Sequence, residues 1–177
     1  ANDLVLWRQI VRTFEFGVFQ RAKWINGHEN LLLFVNQRGT PRFYPEAVLI
    51  ESERLKTGDK RTAESEWGGF RQPSTVWPFA RVQGNNGERW KKHPNQLPYA
   101  YLARMVMAHT CRGDWVFDAC AGTGGLGAVC LEAGRNYLGA DISGTNAFSA
   151  YERILDEKQR DLARRAVESV SERKGAE

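Results

Sequence analysis

Residues Trp115–Ile142 read WVFDACAGTGGLGAVCLEAGRNYLGADI: a strand, a glycine-rich turn, a short helix and a second strand that closes on an acid. Trp115–Phe117 is a short bulky run, and Asp118 follows it. Ala121-Gly122-Thr123-Gly124-Gly125 is too small and flexible for anything but a tight turn. Leu126, Val129, Cys130 and Ala133 then recur at helical spacing, and Gly134 stands where a helix C′ residue belongs. A strand resumes over Tyr137–Ile142, with Asp141 at its carboxyl end. In an α/β sheet this arrangement makes a nucleoside site. The glycines let backbone approach a ligand closely, and the acid accepts hydrogen bonds from two ribose hydroxyls. A glycine turn alone also fits a purely structural strand-to-helix connection; the acid about twenty residues on tells against that. The dinucleotide fingerprint G-x-G-x-x-G can be laid onto Gly122, Gly124 and Gly127, so the glycines do not say which nucleoside is bound. No Lys-Ser/Thr pair follows the glycines as a phosphate-cradling loop requires.

Just upstream lies Lys91-Lys92-His93-Pro94-Asn95-Gln96-Leu97-Pro98-Tyr99, running into AYLARMVMAHT. Pro98 suits the first turn of a helix, where its missing N–H costs nothing. Leu102, Met105, Val106 and Ala108 give that helix an apolar side, and Arg112-Gly113-Asp114 turns it into the Trp115 strand. The pattern HPNQLP, then RGDWVFDACAGTGG, then LGADIS resembles the β group of DNA amino-methyltransferases, which methylate adenine N6 or cytosine N4. The resemblance reaches into the front half. Trp24–Phe34 looks like that family's H-E-x-I-L-F-F edge strand, Arg42–Val48 like its Y-x-x-P-E-A-V segment, and Ser74–Pro78 like its N-V-W-x-x-P. It covers Trp24 to about Ile154. His28 is not half of a zinc-binding H-E-x-x-H, because position 32 is Leu.

The resemblance implies an α/β fold, a Rossmann-like S-adenosyl-L-methionine (SAM)-dependent methyltransferase sheet in circularly permuted order and incomplete in this chain. One methyltransferase-like domain spans 1–177, with edge strands in 1–50, a target-recognition and DNA-contact segment in 51–92, the SAM segment in 93–154 and a charged helix in 155–177. By residue-wise match Asp141 holds the ribose hydroxyls. Asp118, Ala121, Gly122, Thr123 and Gly124 line the methionine end, and Asn95 and Gln96 close it. The implied reaction is methyl transfer to an exocyclic base amine of double-stranded DNA, with the base flipped out of the duplex. A bacterial or phage-type cytoplasmic setting goes with it.

The departures are as informative. The family's catalytic loop, D/N/S-P-P-Y/F/W, does not occur; Leu97-Pro98-Tyr99 lacks the polar residue and Pro78-Phe79 has a single proline. No residue is therefore assigned to catalysis. Family order puts that loop several tens of residues ahead of the His-Glu strand, together with two strands that should flank the Trp115 strand. What remains is two edge strands, around Phe14–Ala22 and Glu29–Val35, and two cofactor-side strands with a gap between them, a costly arrangement for unpaired backbone. The chain is then a fragment, receives its missing strands from a second chain, or has rearranged. A non-catalytic or degenerate SAM- or DNA-binding subunit is the competing reading; a nucleotide-dependent oxidoreductase is disfavoured by HPNQLP. In the glycine loop, Ala119-Cys120 replaces the usual Pro-Phe and Gly125 the usual Thr, which removes a large surface near the ligand.

The net charge of +4 is mild, but its placement is useful. Arg81, Arg89, Lys91 and Lys92 lie near Gln83, Asn85, Asn86 and Trp90, with only Glu88 opposing. Such a loop can neutralise phosphates and read base edges, or simply be a solvated loop. Glu51–Gln72 has balanced charge and stands in the place of a recognition region. It is short for that task and reads as partly disordered, with Trp67-Gly68-Gly69-Phe70 as its aromatic anchor. Asn146–Val170 reads as one long helix with Leu162, Val167 and Val170 as a thin apolar stripe, which fits a solvent-exposed tail better than a partner-binding helix. At 177 residues and 42% hydrophobic content the chain is globular in composition. No apolar run approaches the ~20 residues of a membrane span, and no signal-peptide pattern opens at Ala1-Asn2-Asp3. Cys111, Cys120 and Cys130 show no metal-ligand spacing and are expected as reduced thiols.

Overall fold

The computed structural model describes residues 3–15, 21–90 and 93–171. Strands β1 (Leu4–Thr13) and β2 (His28–Asn36) form a long antiparallel hairpin, with Leu4 opposite Asn36 and Thr13 opposite His28. β2 contains the expected Glu29–Val35 strand. The other edge strand does not lie at Phe14–Ala22, whose described residues are not in a strand; it lies earlier, over Leu4–Thr13. LVLWRQIVRT is dense in β-branched and bulky residues that suit a pleated surface, whereas Gly17 interrupts the later run.

The chain then makes a small flap. β3 (Ile50–Glu51) and β4 (Phe70–Arg71) pair antiparallel around α1 (Glu53–Lys56) and a 3₁₀ turn at Lys60–Glu64. The Ser52 hydroxyl caps α1 by accepting from the Leu55 N–H, and Asp59 caps the 3₁₀ turn by accepting from the Arg61 N–H. Phe70 is buried. The segment is therefore folded by local caps rather than partly disordered, and Phe70 packs on the protein itself.

β5 (Val76–Pro78) returns to lie parallel to β1, giving the order β2-β1-β5. Arg12 of β1, only 1% exposed, joins all three. Its guanidinium donates to Glu29 on β2 at 2.8 Å, and to the carbonyls of Phe79 and Ala80, just past β5, at 3.1 and 2.9 Å. The acid of the His28-Glu29 pair thus neutralises a buried cation that would otherwise be costly. Trp77, Phe79 and Tyr101 pack edge to face beside it, with ring centroids 5.7–6.3 Å apart.

The second region comprises α2 (Tyr99–His109), β6 (Trp115–Asp118), α3 (Gly125–Glu132), β7 (Asn136–Gly139), α4 (Gly144–Leu155) and α5 (Glu157–Ser171). β6 and β7 are parallel, with α3 as the crossover. α3 ends as expected: Gly134 has φ +74°, its N–H bonds the Leu131 carbonyl, and the Arg135 N–H reaches the Cys130 carbonyl. That is a Schellman closure. β7 stops at Gly139, short of the expected Tyr137–Ile142. Ala140 still bonds Asp118 and Ala121 through its backbone, which brings Asp141 against the glycine turn.

Two helices replace the single one expected over Asn146–Val170. Asp156 breaks it with an extended ψ of 120° and starts α5, its carboxylate accepting from the Gln159 N–H at 2.9 Å. Nor is α5 a solvent-exposed tail. Gln159, Ala163, Ala166 and Val170 form one helical stripe, buried against α2 and α3. The core sits there, with Tyr99, Ala103, Ala128, Val129, Cys130 and Ala163 all at 0% exposure.

Among the described residues no strand pairs with the other edge of β6. Trp115, Phe117 and Leu138 stand out from one face of the β6–β7 pair at 72%, 65% and 57% exposure. No helix among the described residues is long and apolar enough to cross a membrane. Cys111, Cys120 and Cys130 are all free thiols.

Candidate cofactor site

The turn between β6 and α3 is shaped by two left-handed glycines, Gly122 at φ +52° and Gly124 at φ +73°. Gly124 also has no room for a side chain: a Cβ there would lie 2.8 Å from the Cα, Cβ and carbonyl oxygen of Ala150 on α4. Its place is thus set by packing against α4. The turn is held from the other side by Asp141. One carboxylate oxygen accepts from the Gly122 N–H at 2.8 Å; the other accepts from the Ser143 N–H at 2.9 Å and the Asn146 amide at 3.2 Å. The Ser143 and Gly122 N–H groups are the main reason its pKa lies below the usual carboxylate value. Asp118, at the end of β6, accepts from the Cys120 N–H at 3.1 Å and from the Tyr137 hydroxyl at 3.3 Å. Burial raises the Tyr137 pKa, and the neighbouring Asp118 carboxylate raises it further.

Asn95, Gln96, Asp118, Ala121, Gly122 and Thr123 line one cleft of about 230 Å³. Six of the eight positions expected at a cofactor site therefore converge. Gly124 and Asp141 are not on the wall; Asp141 reaches it through Gly122. Cys120, at the position where the resemblance implies Phe, is on the wall too.

Two wall residues bear on the chemistry differently from expectation. The Gln96 side chain is engaged with backbone: Oε1 accepts from the Trp90 N–H at 2.9 Å, and Nε2 donates to the Trp90 and His93 carbonyls at 2.7 and 3.2 Å. The Thr123 hydroxyl accepts from Arg153 at 2.8 Å. Arg153 was not expected at the site. It is 1% exposed, lines the cleft, and lies 4.8 Å from the Tyr99 ring centroid. It also donates to the Tyr99 hydroxyl at 2.9 Å and to the Glu88 carbonyl at 2.7 Å. Burial lowers its pKa, pushes Tyr99 up to about 12, and raises the Glu88 carboxyl, which accepts from the Tyr99 N–H.

Of the expected DNA contacts, Asn85, Asn86 and Arg89 are exposed and Arg81 is half-buried; Lys91 and Lys92 lie outside the described residues. Asn86 shapes this loop, its side chain accepting from the Glu88 N–H at 2.8 Å, and Arg89 donates to the Gly84 carbonyl at 3.1 Å.

A parallel strand pair, a left-handed glycine turn and an acid fastened to that turn define a Rossmann-like α/β domain. Its likeness to solved structures bears out the fold: the chain superposes on the cytosine-N4-specific PvuII DNA methyltransferase with a TM-score of 0.63 at 13% identity, covering 93% of this chain and 58% of that one. It superposes on the M1.HpyAVI–SAM complex with a TM-score of 0.54 at 18% identity, covering 86% and 63%. Residues 2–150 match the N6/N4 DNA methylase family, and the chain belongs to that family. It is 30% identical over 131 residues to the DNA adenine methyltransferase YhdJ of Escherichia coli K12, covering 72% of this chain and 44% of that protein. It is 32% identical over 132 residues to the type II methyltransferase M.HpaI of Haemophilus parainfluenzae, covering 73% and 39%. The chain thus spans about two fifths of the length of these curated relatives.

Proposed function

We propose that this chain is the SAM-binding and recognition portion of an enzyme that methylates adenine N6 or cytosine N4 in double-stranded DNA. One observation carries the reading: Asn95, Gln96, Asp118 and the glycine turn close on a single cleft, with Asp141 fastened to its floor through Gly122. In this reading Asp141 exchanges its Asn146 contact for ribose hydroxyls. Ala121, Gly122 and Thr123 then face the methionine end, with Asp118 poised for the amino group, and Gly124 holds the turn against α4. SAM supplies the methyl group; the chain's own residues bind and orient it. Arg81, Asn85, Asn86, Arg89, Lys91 and Lys92 would meet the DNA, where cations neutralise phosphates and amides read base edges.

The catalytic loop and the strands that complete the sheet come, on this proposal, from outside these 177 residues. The bare edge of β6 and the exposed Trp115, Phe117 and Leu138 support it, because such an edge is a template for another strand. Calorimetric titration of SAM into the chain, with Asp141→Ala as control, tests the reading. Saturable binding that the variant loses is expected. Absence of binding by the wild-type chain would overturn the pocket as an independent cofactor site, and methylation of DNA by this chain alone would overturn the need for outside strands.

A further inference from the structure

Two residues of the cleft wall, Gln96 and Arg153, direct their polar groups onto the same strap of backbone, Gly87–Trp90. Gln96 grips Trp90 at both its N–H and its carbonyl. Arg153 spans from the Thr123 hydroxyl in the glycine turn to the Glu88 carbonyl in the strap, with contacts of 2.8 and 2.7 Å. The rest of the strap is braced as well. Gln159 donates to the Gly87 carbonyl at 3.2 Å, the Glu88 carboxylate accepts from the Tyr99 N–H at 2.8 Å, and the Trp90 indole donates to the Ser149 hydroxyl at 3.1 Å. Asn85 and Asn86, just ahead of this strap, and Arg89 within it are exposed.

A planar guanidinium with fixed donor directions transmits displacement between its two ends in a way a lysine ammonium cannot. We infer that Arg153 is a positioning residue that couples occupancy of the cleft to placement of the Asn85–Trp90 strap, so that cofactor and DNA affinities are linked through it. The inference rests on the reading of the cleft as a SAM site. A ligand that settles the glycine turn settles Thr123, and with it the line Thr123–Arg153–Glu88. Reciprocity then requires that DNA held by the strap tighten the cofactor by the same factor.

Hydrogen–deuterium exchange of the chain at saturating SAM reads this directly, since differences in affinity drop out. In the wild type, SAM is expected to slow exchange over 84–90 by at least about fivefold, the lower end of ordinary coupling, along with the glycine turn. In Arg153→Lys the turn stays protected and the strap response falls below about twofold. Tyr99→Phe leaves the line from Thr123 to Glu88 intact and keeps the wild-type response. Thr123→Val cuts the line at its other end, carries the same expectation as Arg153→Lys, and replaces it if that variant does not fold. A wild-type-sized strap response in either cut variant overturns the coupling, as does SAM protection of the turn without the strap in the wild type. Failure of SAM to bind the wild type at all removes the cofactor reading first, and this inference with it.

Discussion

Each region of the chain holds one arginine that is only 1% exposed, and the two are treated in opposite ways. Arg12, in the β2-β1-β5 sheet, faces a carboxylate that is itself 47% exposed on its side chain. Arg153, in the helical region, is surrounded by neutral oxygens from Tyr99, Thr123, Gln159 and the Glu88 backbone. The surroundings differ in the same sense. The hairpin leaves Leu4, Leu6, Leu32 and Phe34 about half exposed or more, while the helical region packs several residues to 0% exposure. One half is an open sheet held by a charged clasp. The other is a packed core in which Arg153 draws its partners from four segments at once, and there a single change propagates furthest.

The strongest challenge to that contrast is Gly124→Ala. It combines a left-handed backbone with a Cβ 2.8 Å from Ala150, and denaturant unfolding should show a loss of about 4 kcal/mol. A loss below ~1 kcal/mol would mean that α4 yields readily and the core is not closed. Ala163→Leu, at a fully buried position on α5, is expected to cost about 2 kcal/mol through overpacking. Phe34→Ser on the open hairpin should stay within ~0.5 kcal/mol of wild type. Equal losses at these two positions would erase the difference between the regions.

The smallest effect is a pH dependence. Burial raises the Glu88 carboxyl above its ordinary 4.5, so the folded chain holds that proton more tightly than the unfolded one. Its contribution to stability is fully present below the ordinary value and is lost as pH rises through the folded value. Thermal unfolding of wild type and Glu88→Gln from pH 4 to 7 should therefore show the variant gaining on the wild type as pH rises. The opposite trend would place Glu88 in a charge-stabilised setting.

Much of the second region was legible because its signals are local. Gly134 announces the end of α3, Pro98 the start of α2, and the turn glycines lie in one run. β2 was legible from its His-Glu pattern, but β1 was displaced because Phe14–Ala22 offers a second bulky stretch close behind the true strand. α5 was misjudged through its alanines: Ala163 and Ala166 carry little hydrophobicity, yet small side chains let helices approach closely. Its start was readable, since Asp156-Glu157-Lys158-Gln159 has the spacing of a helix cap. Arg153 had no such signal. Its partners come from positions 88, 99, 123 and 159, and a constellation assembled from distant segments leaves no mark on any one of them.

The Arg12 clasp has a consequence for how such a protein changes over generations. It joins β1 to carbonyls 67 and 68 residues further on, so the flap lies within a closed ring, beyond a stretch at 42–49 that is itself docked on α2 and α5. Closing a loop grows dearer only with the logarithm of its length, at roughly 0.6 kcal/mol per doubling. Insertions and deletions in the flap can therefore accumulate with little penalty to the sheet below, leaving that segment free to diverge while the cleft keeps its shape.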